Sequence, residues 1–271
     1  MRDFVHLNVV CQDKVAFAEL ARPEKANALN EVLWFELEQL AVWVDATPEI
    51  RTLVLSGQGK HFCAGIDLTL AGALFASISH LSEGQKQEAL LTRIKELQRA
   101  FSAFERCRKP VIAAVHGSCV GGGIDLITAC DMRYAAEGAR FSIKEVDLGI
   151  VADIGTLQRL PYLISDGMVR ELAYTGRYFS AEEACSMGLI NRVYQSKELM
   201  MTGVLELAKS IAEKSPLTIR GIKQVLSYSR DHTVEEGLNH VALWNSSMLL
   251  SQDTQQAISS IMSGKKPEFL D

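Results

Sequence analysis

Five consecutive apolar residues, Val111 to Val115, run into a stretch rich in glycine, with Gly117 and then Gly121, Gly122 and Gly123. An apolar run without polar alternation marks a strand covered on both faces, which places it inside a layered fold. The glycines lead into the helix-like segment 124–130. A strand that passes through glycines into a helix aims backbone N–H groups outward at the helix start, and missing side chains let another group approach closely. Tight strand-helix packing uses glycines equally well. GSCVGGG does not match GxGxxG and lacks the Lys-Ser/Thr of a phosphate loop, so a nucleotide site is a weak reading.

The pattern around this strand alternates. VHLNVV and VAFAEL read as two short strands flanking a turn at Gln12, Asp13 and Lys14. Pro23 ends the second strand, and Asn27 or Asn30 can cap the next element. From Glu31 to Ala46, Leu33, Leu37, Leu40, Ala41 and Val44 recur at helical spacing, with Glu36 and Glu38 off the stripe. A short buried strand at 53–55 follows, then HFCAGIDL (61–68), where Asp67 can cap the next segment. A weakly patterned, mobile segment is expected to about residue 85, then a long helix over 87–107 stopped by Lys109 and Pro110. With VIAAV and a further strand at MRYAA, strand and helix alternate, the order of an α/β fold.

Beyond Leu160 the pattern turns mainly helical. Ser180 and Glu183 suit a capping box with Gly188 at the far end, Ser215 and Pro216 open another helix, and Thr233 with Glu236 opens a third predicted to run to about Ile261. These helices carry Trp244, Met248, Leu249 and Leu250, apolar surface for an oligomer interface or for their own domain. The chain divides into a core over 1–200 and a helical region over 201–271, without a Pro/Ser-rich linker or a short repeat between.

A formal net charge of −5 gives no global field for nucleic acid or an anionic membrane, so neither is an expected partner. Cys11, Cys63, Cys107, Cys119, Cys130 and Cys185 lack paired spacing and read as small core residues in a reducing compartment, with no CxxC or HxxxH cluster to hold a metal. The sequence shows neither a secretory signal pattern nor an apolar run near the roughly 18 residues of a membrane span. Its last residues, EFLD, are not a peroxisomal address. A cytoplasmic chain is expected, although a processed mitochondrial or peroxisomal one would read the same.

Three carboxylates, Asp125, Glu145 and Asp153, lie in or beside segments that otherwise read as buried, where a charge needs a partner or a chemical role. Structural duties are open to each. Asp125 sits where a carboxylate meets a helix dipole, Glu145 can pair with Lys144 or Arg140, and Asp153 can cap the helix after Gly155. Asp147 is read as solvated or capping, and His61 and His116 as packing or supporting residues. Without GxSxG, His116 and Gly117 do not make an esterase site. HFCAGIDL and the glycine segment could each give one N–H to a single oxygen, but spacing does not establish the pairing.

HFCAGIDL, VIAAVHGSCVGGGIDLITACD and EVDLGIVADIGTLQRLP together resemble the two oxyanion loops and the catalytic segment of the enoyl-CoA hydratase/isomerase (crotonase) family, and the likeness spans about 5–261. It implies a crotonase-like ββα spiral core, with a helical C-terminal region for trimerisation and acyl-pocket cover. It also implies an acyl-CoA substrate, no cofactor and a homotrimer or homohexamer. By position, Ile66 and Gly122 would donate the two oxyanion N–H groups. Lys25, Ala26, Ala64, Gly65, Ile66, Asp67, Leu68 and Gly122 would line the substrate, and Arg22, Lys265 or Lys266 could meet its phosphates or remain solvated. Typical hydratases of the family carry glutamates at the positions of Asp125 and Glu145 and commonly glycine at that of Asp153. The pattern here looks like the 3,5-2,4-dienoyl-CoA isomerases, which implies Glu145 as base at carbon 2, Asp153 as acid at carbon 6, and Asp125 as their electrostatic partner. Enoyl-CoA hydratase, or a non-catalytic acyl-CoA-binding or RNA-binding homologue, are the alternative readings.

Overall fold

The computed structural model describes residues 3–270, so the outermost residues of the two expected regions, Met1, Arg2 and Asp271, lie outside the described residues. β1 (Leu7–Gln12) and β2 (Val15–Leu20) form an antiparallel hairpin, closed by Asp13 and Lys14 with φ of 52° and 66°. That left-handed pair matches the twist of the strands it joins. α1 (Glu31–Ala46) follows, capped by Asn30, whose side chain accepts from the Leu33 N–H. Asn27 is not a cap and serves elsewhere.

β3 (Thr52–Gly57), β4 (Val111–Val115), β6 (Met132–Ala136) and β9 (Arg192–Tyr194) extend the hairpin into a six-stranded sheet in the order β1-β2-β3-β4-β6-β9, parallel from β2 onward. Leu53 pairs with Val111 and Ile112 with Met132. A smaller sheet joins β5 (Ser118–Val120), β7 (Arg140–Ser142) and β8 (Phe179–Ser180). The unbroken apolar run of β4 has its reason in this geometry, since successive side chains point to opposite faces. Val111, Ala113 and Val115 join the main core with Leu33, Leu37 and Phe104, while Ile112 and Ala114 meet Met200, Val204 and Ala208 of α8 (Lys197–Ala212).

The expected weakly patterned segment contains a helix, α2 (Leu68–Ile78), which starts at Asp67, whose side chain accepts from the Thr69 N–H. α3 (Glu83–Arg106) begins four residues before the expected start, at a capping box of Ser82 and Gln85. Glu36, placed off the buried stripe of α1, is buried and accepts from the Val5 and His6 N–H groups at 2.5 and 2.8 Å.

α4 (Gly122–Thr128), the short α5 (Thr156–Arg159), α6 (Asp166–Thr175) and α7 (Ala181–Ser186) connect the strands. Ser180 accepts from the Glu183 N–H, but the Glu183 carboxylate turns to Arg177 at 2.5 Å, so the expected box is closed from one side only. α9 (Pro216–Arg230) and α10 (Val234–Met248) open at the predicted Ser215 and Thr233 caps. The last predicted helix is two: α10 ends at Met248, and Ser251 caps a separate α11 (Gln252–Met262). Among the described residues, no helix is long and apolar enough to cross a membrane.

Candidate active site

The loop after β3 is held by a buried asparagine. Asn27, at φ 55°, accepts from the Arg22 N–H at 2.9 Å and donates to the Gln58 and His61 carbonyls at 3.0 and 2.8 Å. All the polar atoms of its side chain are thereby engaged, which a fully buried amide needs. The KANALN stretch then runs beside the loop: Ala64 N–H donates to Ala26 O, Leu29 N–H to Gly65 O, and Asp67 N–H to Leu29 O. Arg22 adds an ion pair to Asp67 at 3.0 Å and a bond to the Ala28 carbonyl. Lys25 and Ala26 are therefore brought alongside Ala64, Gly65, Ile66, Asp67 and Leu68. Lys25, Ala64 and Leu68 are exposed; Gly65 is buried.

The second loop is stitched to the first across Cys63, whose N–H donates to Ser118 O and whose carbonyl accepts from Val120 N–H, both at 3.0 Å. Gly65 and Gly122 meet where the loops touch. A Cβ on Gly65 would lie 2.9 Å from Val120 O, and one on Gly122 would lie 2.8 Å from Leu29 Cδ1. Neither position has room for a side chain without displacing its neighbour. Among the described residues, the Ile66 and Gly122 N–H groups donate to no backbone or side-chain acceptor. Two free donors on touching loops can serve one oxygen atom.

The three carboxylates come from different elements, and of them Glu145 lies against the glycine loop at Gly121. Asp125, in the first turn of α4, is 1% exposed, and its Oδ1 accepts from both the N–H and the hydroxyl of Thr156, at 2.6 and 2.7 Å. Burial nevertheless pushes its carboxyl up to about 6, with the Thr156 bonds opposing and the Asp153 charge adding. Glu145 opens a 3-10 turn, Glu145–Leu148, and stands over Gly121: a Cβ there would come within 3.2 Å of Glu145 Oε1. Its Oε2 is buried without a hydrogen-bond partner. Burial, then repulsion from Asp125, pushes Glu145 up to about 7. Asp153 is half-buried, and burial raises its carboxyl as well. It lines an open polar cleft of about 420 Å³ together with Gln98, Tyr162 and Arg230. Desolvated carboxylates within each other's field are groups that can hold or release a proton near neutral pH.

The profile of the family described as enoyl-CoA hydratase/isomerase matches residues 11–271. The chain belongs to that family. Relatives include the peroxisomal Delta(3,5)-Delta(2,4)-dienoyl-CoA isomerase of Arabidopsis thaliana, 49% identical over 92% of this chain and 90% of its own. The mitochondrial Delta(3,5)-Delta(2,4)-dienoyl-CoA isomerase of Homo sapiens is 44% identical over 94% of this chain and 78% of its own. Among solved structures, an enoyl-CoA hydratase from Bacillus anthracis matches with a TM-score of 0.87 at 30% identity, covering 98% of this chain and 99% of that one. The architecture is therefore the crotonase fold, with a mainly parallel sheet and a helical C-terminal part.

Within this crotonase fold the alternative duties of the carboxylates can be checked. Lys144 pairs with Asp147, at 2.7 Å and largely exposed, instead of with Glu145. Arg140 lies over the Tyr178 ring, 5.3 Å from its centroid. The N-cap position of α5 is Gly155, so Asp153 does not cap it. His116 Nε2 lies 3.1 Å from both Gly59 O and Lys197 Nζ, and burial pushes the ring down to about 4, which keeps it neutral. His61 Nδ1 accepts from the Ser118 N–H at 3.2 Å and so joins the two loops. Lys266 pairs with Glu213 at 2.6 Å. Sequence reading missed Thr156 and the clamp function of Asn27. A polar residue directly after Gly155, and an amide inside the otherwise small KANALN run, were the available signals.

Proposed function

We propose that this chain isomerises a 3,5-dienoyl-CoA to the 2,4-dienoyl-CoA, in the breakdown of unsaturated fatty acids. The observation that carries the reading is a third carboxyl, Asp153, whose charge reaches both Asp125 and Glu145. The dienoyl-CoA isomerases among the relatives, at 49% and 44% identity, support it.

Ionised Glu145 removes a proton from carbon 2. The electron pair passes to the thioester oxygen, which the Ile66 and Gly122 N–H groups hold as an extended dienolate; one such donor contributes about 3 kcal/mol in a transition state. The pair then returns through the chain, forming double bonds at carbons 2 and 4 while carbon 6 takes the proton of Asp153. Glu145 ends protonated and Asp153 ionised, and exchange with solvent resets both. Only protons move, so the reaction needs no metal or redox cofactor. Asp125, buried and bonded to Thr156, acts through its field on the other two.

Lys25, Ala26 and the 64–68 loop would hold the CoA moiety. The core over 1–200 would carry that site, and 201–271 would cover the acyl pocket and mediate assembly into a homotrimer or homohexamer. The exposed Leu226, Leu243, Leu249, Leu250 and Ile258 on α9 to α11 and the α10–α11 connection support this. The relatives' compartments, peroxisome and mitochondrion, favour an organelle over the cytoplasm expected from absent signals.

A hydratase would hold water between Asp125 and Glu145; the two Thr156 donors on Asp125 Oδ1 leave only its Oδ2 for that duty, which disfavours the hydratase reading. RNA binding finds no support in a net charge of −5. Ultraviolet absorbance after mixing with a 3,5-dienoyl-CoA, and separately with a 2-enoyl-CoA, tests the reading. A rise of conjugated diene in the first with little loss of enoyl signal in the second is expected. Enoyl loss without diene formation would establish the hydratase instead. Asp153→Asn should end diene formation while leaving the fold intact, and a fully active variant would remove its role as acid.

A further inference from the structure

The segment that carries Asp153 is held at four consecutive residues. Gln98 Nε2 of α3 donates to the Asp153 carbonyl at 2.6 Å. Arg159 Nη1 donates to the Ile154 carbonyl at 3.3 Å. Gly155, at φ 138°, leaves the space that the Arg159 guanidinium occupies, since a Cβ there would overlap it. Thr156 then binds Asp125. Arg159 is itself fixed from α3: its Nη2 donates to Ser102 Oγ and Glu105 Oε2, both at 3.0 Å.

Gln98, Ser102 and Glu105 lie four and three residues apart, so they form one polar stripe along α3. The adjoining face of that helix buries Phe101 and Phe104, and Trp34 of α1 stacks on Phe101 at 4.9 Å while its Nε1 donates to the Leu97 carbonyl at 3.0 Å. The helix therefore cannot slide freely relative to the core, and its polar stripe offers a fixed reference for the segment.

We propose that Gln98 is a positioning residue for Asp153, setting where its carboxyl meets carbon 6, with Arg159 as a second anchor one peptide further on. The inference rests on the dienoyl-CoA isomerase reading. Gln98 makes no bond to Asp125 or Glu145 among the described residues, so of the three carboxylates it acts on Asp153 directly. Misplacement of a reacting group by about 1 Å can lower a rate on the order of 100-fold.

The test is Gln98→Leu, which keeps the volume of a half-buried side chain and removes the donor. Two rates are compared in D2O: diene formation, which needs both proton transfers, and exchange of the carbon-2 hydrogen of the 3,5-dienoyl-CoA, which needs only Glu145. Gln98→Leu is expected to lower kcat for diene formation by about tenfold or more, with KM and carbon-2 exchange within about twofold of the unmodified protein. A general loosening of the site would lower both rates together, and that result, or an unchanged kcat, would overturn the proposal. Gln98→Glu provides a second readout if the leucine variant does not fold. A protonated carboxyl can donate to the Asp153 carbonyl and an ionised one cannot, so its diene rate relative to the unmodified protein should recover as pH falls; a flat ratio counts against the proposal. An unmodified protein that forms no diene defeats the isomerase reading and this inference with it, whereas an active one indifferent to position 98 defeats this inference alone.

Discussion

Replacing Glu145 by Gln should make the protein more stable at alkaline pH while ending its activity. The folded carboxyl is pushed from its ordinary 4.5 up to about 7, by burial first and by Asp125 second, and its Oε2 lacks a hydrogen-bond partner when ionised. Between these two values the folded chain retains a proton that the unfolded chain has released, so stability falls as pH rises through that window. Below about 4.5 both states are protonated and the penalty vanishes; above about 7 it is complete. The gap corresponds to about 3 kcal/mol at roughly 1.4 kcal/mol per pKa unit. Partial solvent screening of a group that is not fully enclosed reduces the expectation to about 2 kcal/mol. An amide does not ionise, so Glu145→Gln should melt about 4–8 °C higher than the unmodified protein at pH 9 and at nearly the same temperature at pH 4. Thermal unfolding across that range is the assay. A variant that is less stable at pH 9, or one whose difference does not change with pH, would show that Glu145 is not a strained carboxylate. The same protonation bears on the activity profile, because the base must be ionised while Asp153 still holds its proton: diene formation should rise with pH as Glu145 ionises and fall again as Asp153 loses its proton.

Thr156→Val removes the hydroxyl bond to Asp125 but leaves the backbone N–H in place. The loss should cost about 1–2 kcal/mol and should raise the Asp125 carboxyl further, so the destabilisation should be larger at pH 8 than at pH 5 in denaturant titrations; equal losses would dissociate the hydroxyl from the charge. Gly121→Ala places a Cβ at φ 52° and 3.2 Å from Glu145 Oε1. It should lose about 1–3 kcal/mol of stability to backbone strain and most of its diene formation, and full activity would show that the base tolerates displacement.

What the sequence made legible was local. Asn30, Ser215 and Thr233 announce their helices because a capping side chain bonds within three residues. β4 announces burial because both faces of one strand are apolar. α2 was hidden because LTLAGALFASI is apolar on all sides and leaves no stripe to read, and the break at Ser251 was hidden because Leu249 and Leu250 continue the apolar pattern across it. Glu36 read as a surface residue because its partners are the N–H groups of Val5 and His6, about thirty positions away. The candidate site divides in the same way. Its residue types stood out as carboxylates in apolar surroundings, while their supports, Thr156 for Asp125 and Gln98 for Asp153, are set 31 and 55 residues apart by the fold.

That separation has a chemical consequence. Asp125 and Asp153 both raise Glu145, and Asp153 also raises Asp125, so the titrations of Asp125 and Glu145 depend on the state of Asp153. Wherever Asp153 is ionised its charge opposes ionisation of the other two, so replacing it by a neutral amide favours the ionised base even as the acid is lost. An Asp153→Asn protein is therefore expected to keep, or to gain at pH 6, exchange of the carbon-2 hydrogen while forming no diene. If exchange disappeared together with diene formation, the two proton transfers would have to pass through a common group, and the assignment of separate roles to Glu145 and Asp153 would fail.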